Sequence, residues 1–172
     1  RQAAGLPYPI VLGLMEQLCD TLRYLHAQEP PVVFRDLKPA NVIVDGRGRA
    51  VLVDFGIARH YRPEARSDTL RLGTPWFAAP EQLRGGQSDV RTDLYGLGAL
   101  AYHLLTGGDF AARRGRSDRI RRLRGAVPPL FAEWLERLLA DNPQDRPASA
   151  AEARRDLAAF AAEAGEGSGG PQ

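Results

Sequence analysis

A mainly α-helical fold carrying one small β-ribbon is what this chain predicts, on three observations. Apolar residues at 10, 14, 18, 22 and 25 recur at helical spacing. Two short β-branched runs, "NVIV" at 41–44 and "AVLV" at 50–53, flank the turn-rich "DGRGR". Farther on, 92–106 is strongly apolar, 130–140 is amphipathic and 149–162 is alanine-rich, three more helical patterns.

Taken in order, Pro9 sits where the first helix begins, because a first-turn residue has no helical partner for its amide. "EPP" at 29–31 ends that helix. The β-branched runs read as a hairpin. From Ile57 to Gly73 the pattern is polar and aperiodic, too long for a routine connector and expected to be a functional loop. Asp93 and Ser149 are expected to cap two of the later helices. The expected domain runs over 1–162, with 163–172 a flexible Gly/Ser-rich tail and no internal repeat.

Composition bounds the function. With 172 residues, 44% hydrophobic and 26% charged, the chain can bury one core, which excludes a wholly disordered protein. A net charge of +2 supports no strong claim about nucleic acid or membranes. Cys19 is the only cysteine, so no intramolecular disulfide or cysteine-rich metal site forms; a reducing, cytoplasmic setting and a buried thiol are expected. The longest apolar run, 94–105, falls short of the roughly 20 residues that span a bilayer. The chain opens on Arg1 and its single methionine, Met15, lies inside a helical pattern, so a piece of a longer protein is expected.

The chemistry concentrates in "VVFRDLKPANVIVD" at 32–45, which holds Lys38, the only lysine among 23 basic residues. Asp36, Asn41 and Asp54 are short oxygen-bearing side chains at the edges of the expected ribbon. Hard oxygen donors of this kind can hold Mg²⁺ and share it with substrate phosphates. A lysine two residues beyond Asp36 adds a rotatable charge able to meet a phosphoryl oxygen. Together they are parts of a phosphoryl-transfer site.

"FRDLKPAN" resembles the catalytic loop of protein kinases, "DFG" at 54–56 their metal-binding motif and "AAPE" at 78–81 the end of their activation segment. With "GTPWFAAPEQ", "RTDLYGLGALAYHLLTG" and "DNPQDRPAS", these occur in kinase order over about 33–149. The wording is most similar to bacterial eukaryotic-like serine/threonine kinases. The resemblance implies a kinase-like C-terminal helical lobe, ATP and Mg²⁺ as cofactors, and protein substrates, including the chain itself. It makes Asp36 the catalytic base, Asn41 and Asp54 the metal ligands, and Lys38 the contact to the transferring phosphate. Thr74 would bond Asp36 and Lys38, and Arg35 would pair with a phosphorylated activation loop whose candidate sites are Ser67 and Thr69. Phe34 stands where the family usually has histidine; an aromatic ring there can keep the packing against Phe55 while losing a hydrogen bond. Trp76 and Phe77 would shape a peptide-docking surface or simply pack. Glu81 and Arg146 would meet as a buried ion pair, and Asp93 would accept hydrogen bonds from the catalytic-loop backbone.

The family also needs a glycine-rich loop, a strand lysine and its helix glutamate, and seven residues before Tyr8 cannot hold them. Only the C-terminal lobe is expected, the N-terminal β-lobe being absent. A chain of this kind is expected to bind ATP poorly alone and to expose apolar surface on the side of the missing lobe. Two other readings stay open: a truncated, non-catalytic interaction module, which retention of Asp36, Lys38, Asn41 and Asp54 argues against, and a small-molecule kinase, against which Lys38, "GTP" and "APE" speak. Seven arginines fall within 113–124 with no interleaved aromatic residue, which favours a solvated helix face or an acidic-substrate docking patch over nucleic acid. His26, His60 and His103 lack metal-ligand spacing and are expected to be packing or surface residues.

Overall fold

The structure, a computed structural model, describes residues 4–55, 58–60, 77–108, 116–123 and 125–166. Its helices are α1 (Tyr8–His26), α2 (Pro80–Leu83), α3 (Val90–Thr106), α4 (Arg116–Leu123), α5 (Pro129–Leu138) and α6 (Ala150–Glu166). Its strands are β1 (Val32–Val33), β2 (Val42–Val44), β3 (Ala50–Leu52) and β4 (Arg59–His60).

α3 is the axis of the molecule. Every residue from Thr92 to Tyr102 is buried, so this helix is enclosed on all sides. α1 packs against α3 and α6, and α5 packs against α3, α4 and α6. The largest enclosed side chains, Trp134, Tyr102, Phe34, Phe131 and Met15, come from α1, α3, α5 and the segment after β1. Trp134 keeps its indole N–H satisfied on the Ala153 carbonyl at 3.2 Å, so its ring can be buried without stranding a donor.

α1 buries Val11, Leu14, Met15, Leu18, Cys19, Leu22 and Leu25. The apolar face is therefore rotated from the sequence reading by one position at its start: Val11 is inside, and Ile10 is 53% exposed. Cys19 has no surface, and burial pushes its thiol up to about 12, which leaves it a packing residue rather than a nucleophile.

β2 and β3 form the hairpin, antiparallel, with Val42 opposite Leu52 and Val44 opposite Ala50. Its turn is closed by Asp45, whose carboxylate accepts from the Arg47 and Arg49 amides at 2.8 and 3.0 Å. The α1 side chain Gln17 clamps the ribbon to the helices, donating to Gly48 O and accepting from the Ala50 amide. β1 pairs with β4, Val32 opposite His60, so part of the stretch expected to be loop from Ile57 onward is strand. Two residues are too short to show a period, which is why no pattern announced them.

The expected cap at Asp93 needs correction. Asp89 caps α3, accepting from the Arg91 amide at 2.8 Å, while its own amide donates to the Thr92 hydroxyl oxygen at 3.1 Å. Asp93 lies one turn inside, where its side chain reaches another part of the chain. Ser149 does accept from the Glu152 amide at the start of α6, at 3.1 Å.

Glu81 and Arg146 stand 65 residues apart and form a two-pronged ion pair at 2.7 and 2.9 Å. The Arg146 side chain has no exposed surface, and its remaining donors reach the carbonyls of Ala140 and Arg91. Thr92 also donates to Glu81, at 3.0 Å. Burial alone would push the Glu81 carboxyl up, but the Arg146 guanidinium and the Thr92 hydroxyl outweigh it and hold it below the usual carboxylate range. No helix among the described residues is long and apolar enough to cross a membrane.

A Cβ on Gly98 would lie 2.8 Å from the Leu138 Cβ and 3.2 Å from the Leu139 Cγ, where no flexible chain end can swing away. Gly98→Ala should therefore lower stability by about 1–3 kcal/mol, read as a lower urea midpoint with an unchanged slope. Arg146→Met should cost about 3–5 kcal/mol by leaving the Glu81 carboxylate buried and unpaired. Because the Glu81 carboxyl is depressed in the folded chain, its contribution is complete above its ordinary value of 4.5 and fades as pH falls below it. The stability gap between wild type and Glu81→Gln, followed by denaturant melts from pH 7 to pH 3, should narrow on the acid side only.

Candidate active site

The site is built on the segment between β1 and β2. Asp93 reaches out of α3 and accepts from two successive amides, Phe34 N at 2.8 Å and Arg35 N at 2.7 Å. It also meets His26 Nε2, from the last turn of α1, at 2.8 Å. One carboxylate with 1% exposure therefore holds three donors, which meets the requirement that a buried acid be fully hydrogen-bonded.

That anchor bears on a strained stretch of backbone. Arg35 sits at φ 72°, in the left-handed region that a residue with a Cβ seldom adopts. Such a conformation costs about 1–3 kcal/mol and persists where surrounding bonds over-determine it. Here Asp93 holds the Arg35 amide, and Gln82 of α2 donates to the Arg35 carbonyl at 3.0 Å. Gln82 also accepts from the Ala79 amide at 2.9 Å, linking the "APE" segment to the loop. The next residue, Asp36, is thereby aimed by a fixed peptide on its N-terminal side.

A tight approach fixes the other side. A Cβ on Gly96 would meet the Leu37 Cβ at 3.0 Å, so any larger residue here would press Leu37 and the loop away from α3 by a few tenths of an ångström. Leu37 is buried at 3% exposure and pins the segment to the core between Asp36 and Lys38.

Asp36, Lys38 and Asn41 converge. Lys38 Nζ lies 3.3 Å from Asp36 Oδ2. Asn41 donates from Nδ2 to the Asp36 carbonyl at 2.7 Å and to Asp36 Oδ2 at 3.1 Å. Both amide protons of Asn41 thus point at Asp36, which leaves its Oδ1 as an acceptor facing elsewhere. The turn Pro39–Asn41 carries Asn41 directly into β2, and the Val53 amide bonds the Asn41 carbonyl at 2.9 Å. The hairpin thereby delivers Asp54 beside the same loop. Asp54 is exposed and also left-handed, at φ 64°.

The ring of Phe55 meets that of Phe34 edge to face, centroids 5.1 Å apart. Phe34 is fully buried and Phe55 is 47% exposed. Phe77 packs edge to face on His103 at 5.2 Å, and burial pushes the His103 imidazole down. Thr74, Ser67 and Thr69 lie outside the described residues, as does Trp76.

Sequence reasoning missed two members of this assembly. His26 is a hydrogen-bonding partner of Asp93 rather than filler or surface, and Gln82 bridges α2 to the loop. Neither belongs to a pattern of its own, since each depends on a residue tens of positions away. Among the described residues no group of three or more His, Cys, Asp or Glu forms a metal cluster. The oxygens fitting a hard cation are Asn41 Oδ1 and the Asp54 carboxylate, a pair that leaves most of a coordination shell to substrate and water.

Comparison with known proteins supplies the family. A family model described as protein kinase domain matches residues 6–156. Serine/threonine-protein kinase PknL of Mycobacterium tuberculosis is 38% identical over 149 residues, covering 80% of this chain and 37% of PknL. Serine/threonine-protein kinase PknB of Mycolicibacterium smegmatis is 35% identical over 161 residues, covering 85% of this chain, and PknB of Mycobacterium tuberculosis is 36% identical over the same length. The chain spans 37% of PknL and 25% of PknB. The matched residues run from just before α1 into the first half of α6, and the chain belongs to the protein kinase domain family.

Proposed function

We propose that residues 1–162 form the C-terminal, catalytic-loop-bearing lobe of an ATP-dependent serine/threonine protein kinase, with 163–172 a flexible tail. The observation that carries this reading is the convergence of Lys38, Asn41 and the Asp36 carboxylate within 3.3 Å on a loop whose backbone is anchored by Asp93.

In this role Asp36 takes up or orients the proton of a substrate hydroxyl. Asn41 holds the Asp36 carboxylate by a hydrogen bond, and Lys38 lies where a phosphoryl oxygen beside that carboxylate would draw it across. Asn41 Oδ1 and Asp54 would hold Mg²⁺, which when bound neutralises charge on the nucleotide phosphates. Arg35 and Thr74 keep the roles the family gives them, phosphate sensing and contact with Asp36 and Lys38. Ser67 and Thr69 are the proposed regulatory phosphosites, and Glu81, Asp93 and Arg146 the structural ties.

Lys38 is the only lysine of the 172 residues, so the lysine that grips the α and β phosphates in this family is not among them. The chain supplies one wall of a nucleotide cleft. Exposed apolar side chains beside the site support a second body closing over it: Ile43, Val44 and Val51 of the hairpin and Phe55 are 47–54% exposed. Isolated, the chain should bind ATP weakly. The alternative, a non-catalytic docking module, would need no Lys38–Asp36–Asn41 contact at all.

In the full-length protein carrying these residues, with ATP, Mg²⁺ and a protein substrate, Asp36→Asn should lower kcat by about 10²–10⁴-fold with little change in folding. Radiolabelled phosphate transfer to serine and threonine, with melting measured alongside, tests it. Transfer near the wild-type rate in Asp36→Asn would remove Asp36 from the mechanism, and no transfer by the wild-type protein under any partner or phosphorylation state would favour the docking module.

A further inference from the structure

His26 takes no part in the chemistry described so far, yet its side chain is 8% exposed and lies against the anchor of the catalytic loop. It stands in the last turn of α1 and reaches Asp93 of α3 at 2.8 Å through Nε2. Both oxygens of Asp93 already accept from backbone amides, Oδ1 from Arg35 and Oδ2 from Phe34, so the ring must present an N–H there rather than a lone pair. Its other nitrogen, Nδ1, is buried and meets no hydrogen-bond partner among the described residues. The polar contribution of the imidazole passes through one bond.

That bond differs in origin from the other two. The amides of Phe34 and Arg35 are consecutive and belong to the loop that Asp93 holds, whereas Nε2 comes from a separate helix. Gln82 restrains the carbonyl end of Arg35, and the amide end depends on Asp93. With the two amides alone, the Asp93 carboxylate and the loop can tilt together. A third donor from α1, itself packed on α3 and α6, removes that freedom. Asp36 follows Arg35 directly, so a tilt of this peptide changes the aim of the Asp36 carboxylate. The ring also forms part of the wall of an open cavity of about 780 Å³ between the end of α1 and the start of α6, with Tyr24, Ala27 and Ser149. A smaller side chain at 26 therefore widens an existing opening instead of leaving a void in the core, which keeps substitutions compatible with folding.

We propose that His26 is a positioning residue for phosphoryl transfer: by one N–H donated from Nε2 it holds Asp93 at the angle that aims Asp36. This rests on the reading of Asp36 as the base that receives the substrate proton. Packing alone is the competing account, and the two differ in which replacements succeed. Glutamine brings its amide nitrogen to about the reach of Nε2, whereas asparagine extends only to that of Nδ1, where no partner lies. Leucine occupies similar space and offers no donor.

The test compares His26→Gln, His26→Asn and His26→Leu in the full-length protein carrying these residues, each assayed well below its melting temperature with ATP, Mg²⁺ and a protein substrate. His26→Gln should stay within about threefold of the wild-type kcat, while the other two should lose about ten- to hundredfold, with KM for ATP and for the substrate changed by less than about twofold. Hydrogen exchange at the Phe34 and Arg35 amides should quicken by about tenfold or more in His26→Asn and His26→Leu and keep its wild-type rate in His26→Gln, with the amides at the centre of α3 unaffected. Equal kcat in the Gln and Asn variants, a rise in KM that accounts for the loss, or faster exchange spread through α1 and α3 would overturn the proposal in favour of packing. The exchange measurement needs no phosphotransfer and so separates this proposal from the reading beneath it. A wild-type protein that transfers no phosphate removes the kinase reading, whereas unchanged exchange at Phe34 and Arg35 in His26→Leu removes the role of His26.

Discussion

The carboxylate of Asp93 is the constraint on which the site depends. It is buried in the first turns of α3 and accepts from Phe34 N, Arg35 N and His26 Nε2 at 2.7–2.8 Å. A charge placed there is tolerable only because every nearby donor is aimed at it, and those donors are the backbone of the loop and the end of α1. The core helix, the first helix and the loop therefore share one electrostatic centre. Moving any of them strands a buried acid or a buried amide, so the loop's left-handed Arg35 is held by a cost larger than its own strain.

From that centre the geometry of the acidic residue follows outward. Asp36 is the first side chain after the anchored peptide, and Leu37 locks the following residue against Gly96 of α3. Asn41 then spends both its amide protons on Asp36, which fixes the carboxylate and at the same time turns the amide oxygen away from it. An amide suits this double duty: an aspartate at 41 would repel Asp36, and an aliphatic residue would leave it unheld. The hairpin completes the site because β2 begins where Asn41 ends, and its return strand brings Asp54 alongside.

Much of this was legible in the order of residues. The hairpin announced itself through β-branched runs around a turn, and the helices through their periodicity, since both signals repeat within a few residues. The short spacing of "FRDLKPAN" likewise singles out Asp36, Lys38 and Asn41, which the structure brings together. What stayed hidden has a common cause. His26 looks like any histidine near a helix end, and Gln82 like any surface amide, because their partners are 67 and 47 positions away. Local pattern makes Asp93 a cap, because an acid near a helix start usually serves its own helix, whereas the family resemblance already makes it the acceptor for the loop backbone, as it is. Asp89 does that here, leaving Asp93 for the loop. The β1–β4 pairing was invisible because a two-residue strand has no period to detect.

The polar ties form a closed circuit rather than a set of separate struts. Thr92 of α3 donates to Glu81, Glu81 pairs with Arg146, and Arg146 returns to the Arg91 carbonyl at the start of α3. One residue beyond Thr92, Asp93 holds the Arg35 amide, while Gln82, next to Glu81, holds the Arg35 carbonyl. The peptide of Arg35 is thus gripped from both sides by two adjacent pairs, Thr92–Asp93 on α3 and Glu81–Gln82 on α2. A displacement of α2 must either break the Glu81–Arg146 pair or pull on the residue that precedes Asp36. Because the pair is buried and the loop is strained, the system has discrete ways to give and no gradual one. The position of the "APE" segment and the aim of Asp36 are for that reason one degree of freedom, set by the first turn of α3.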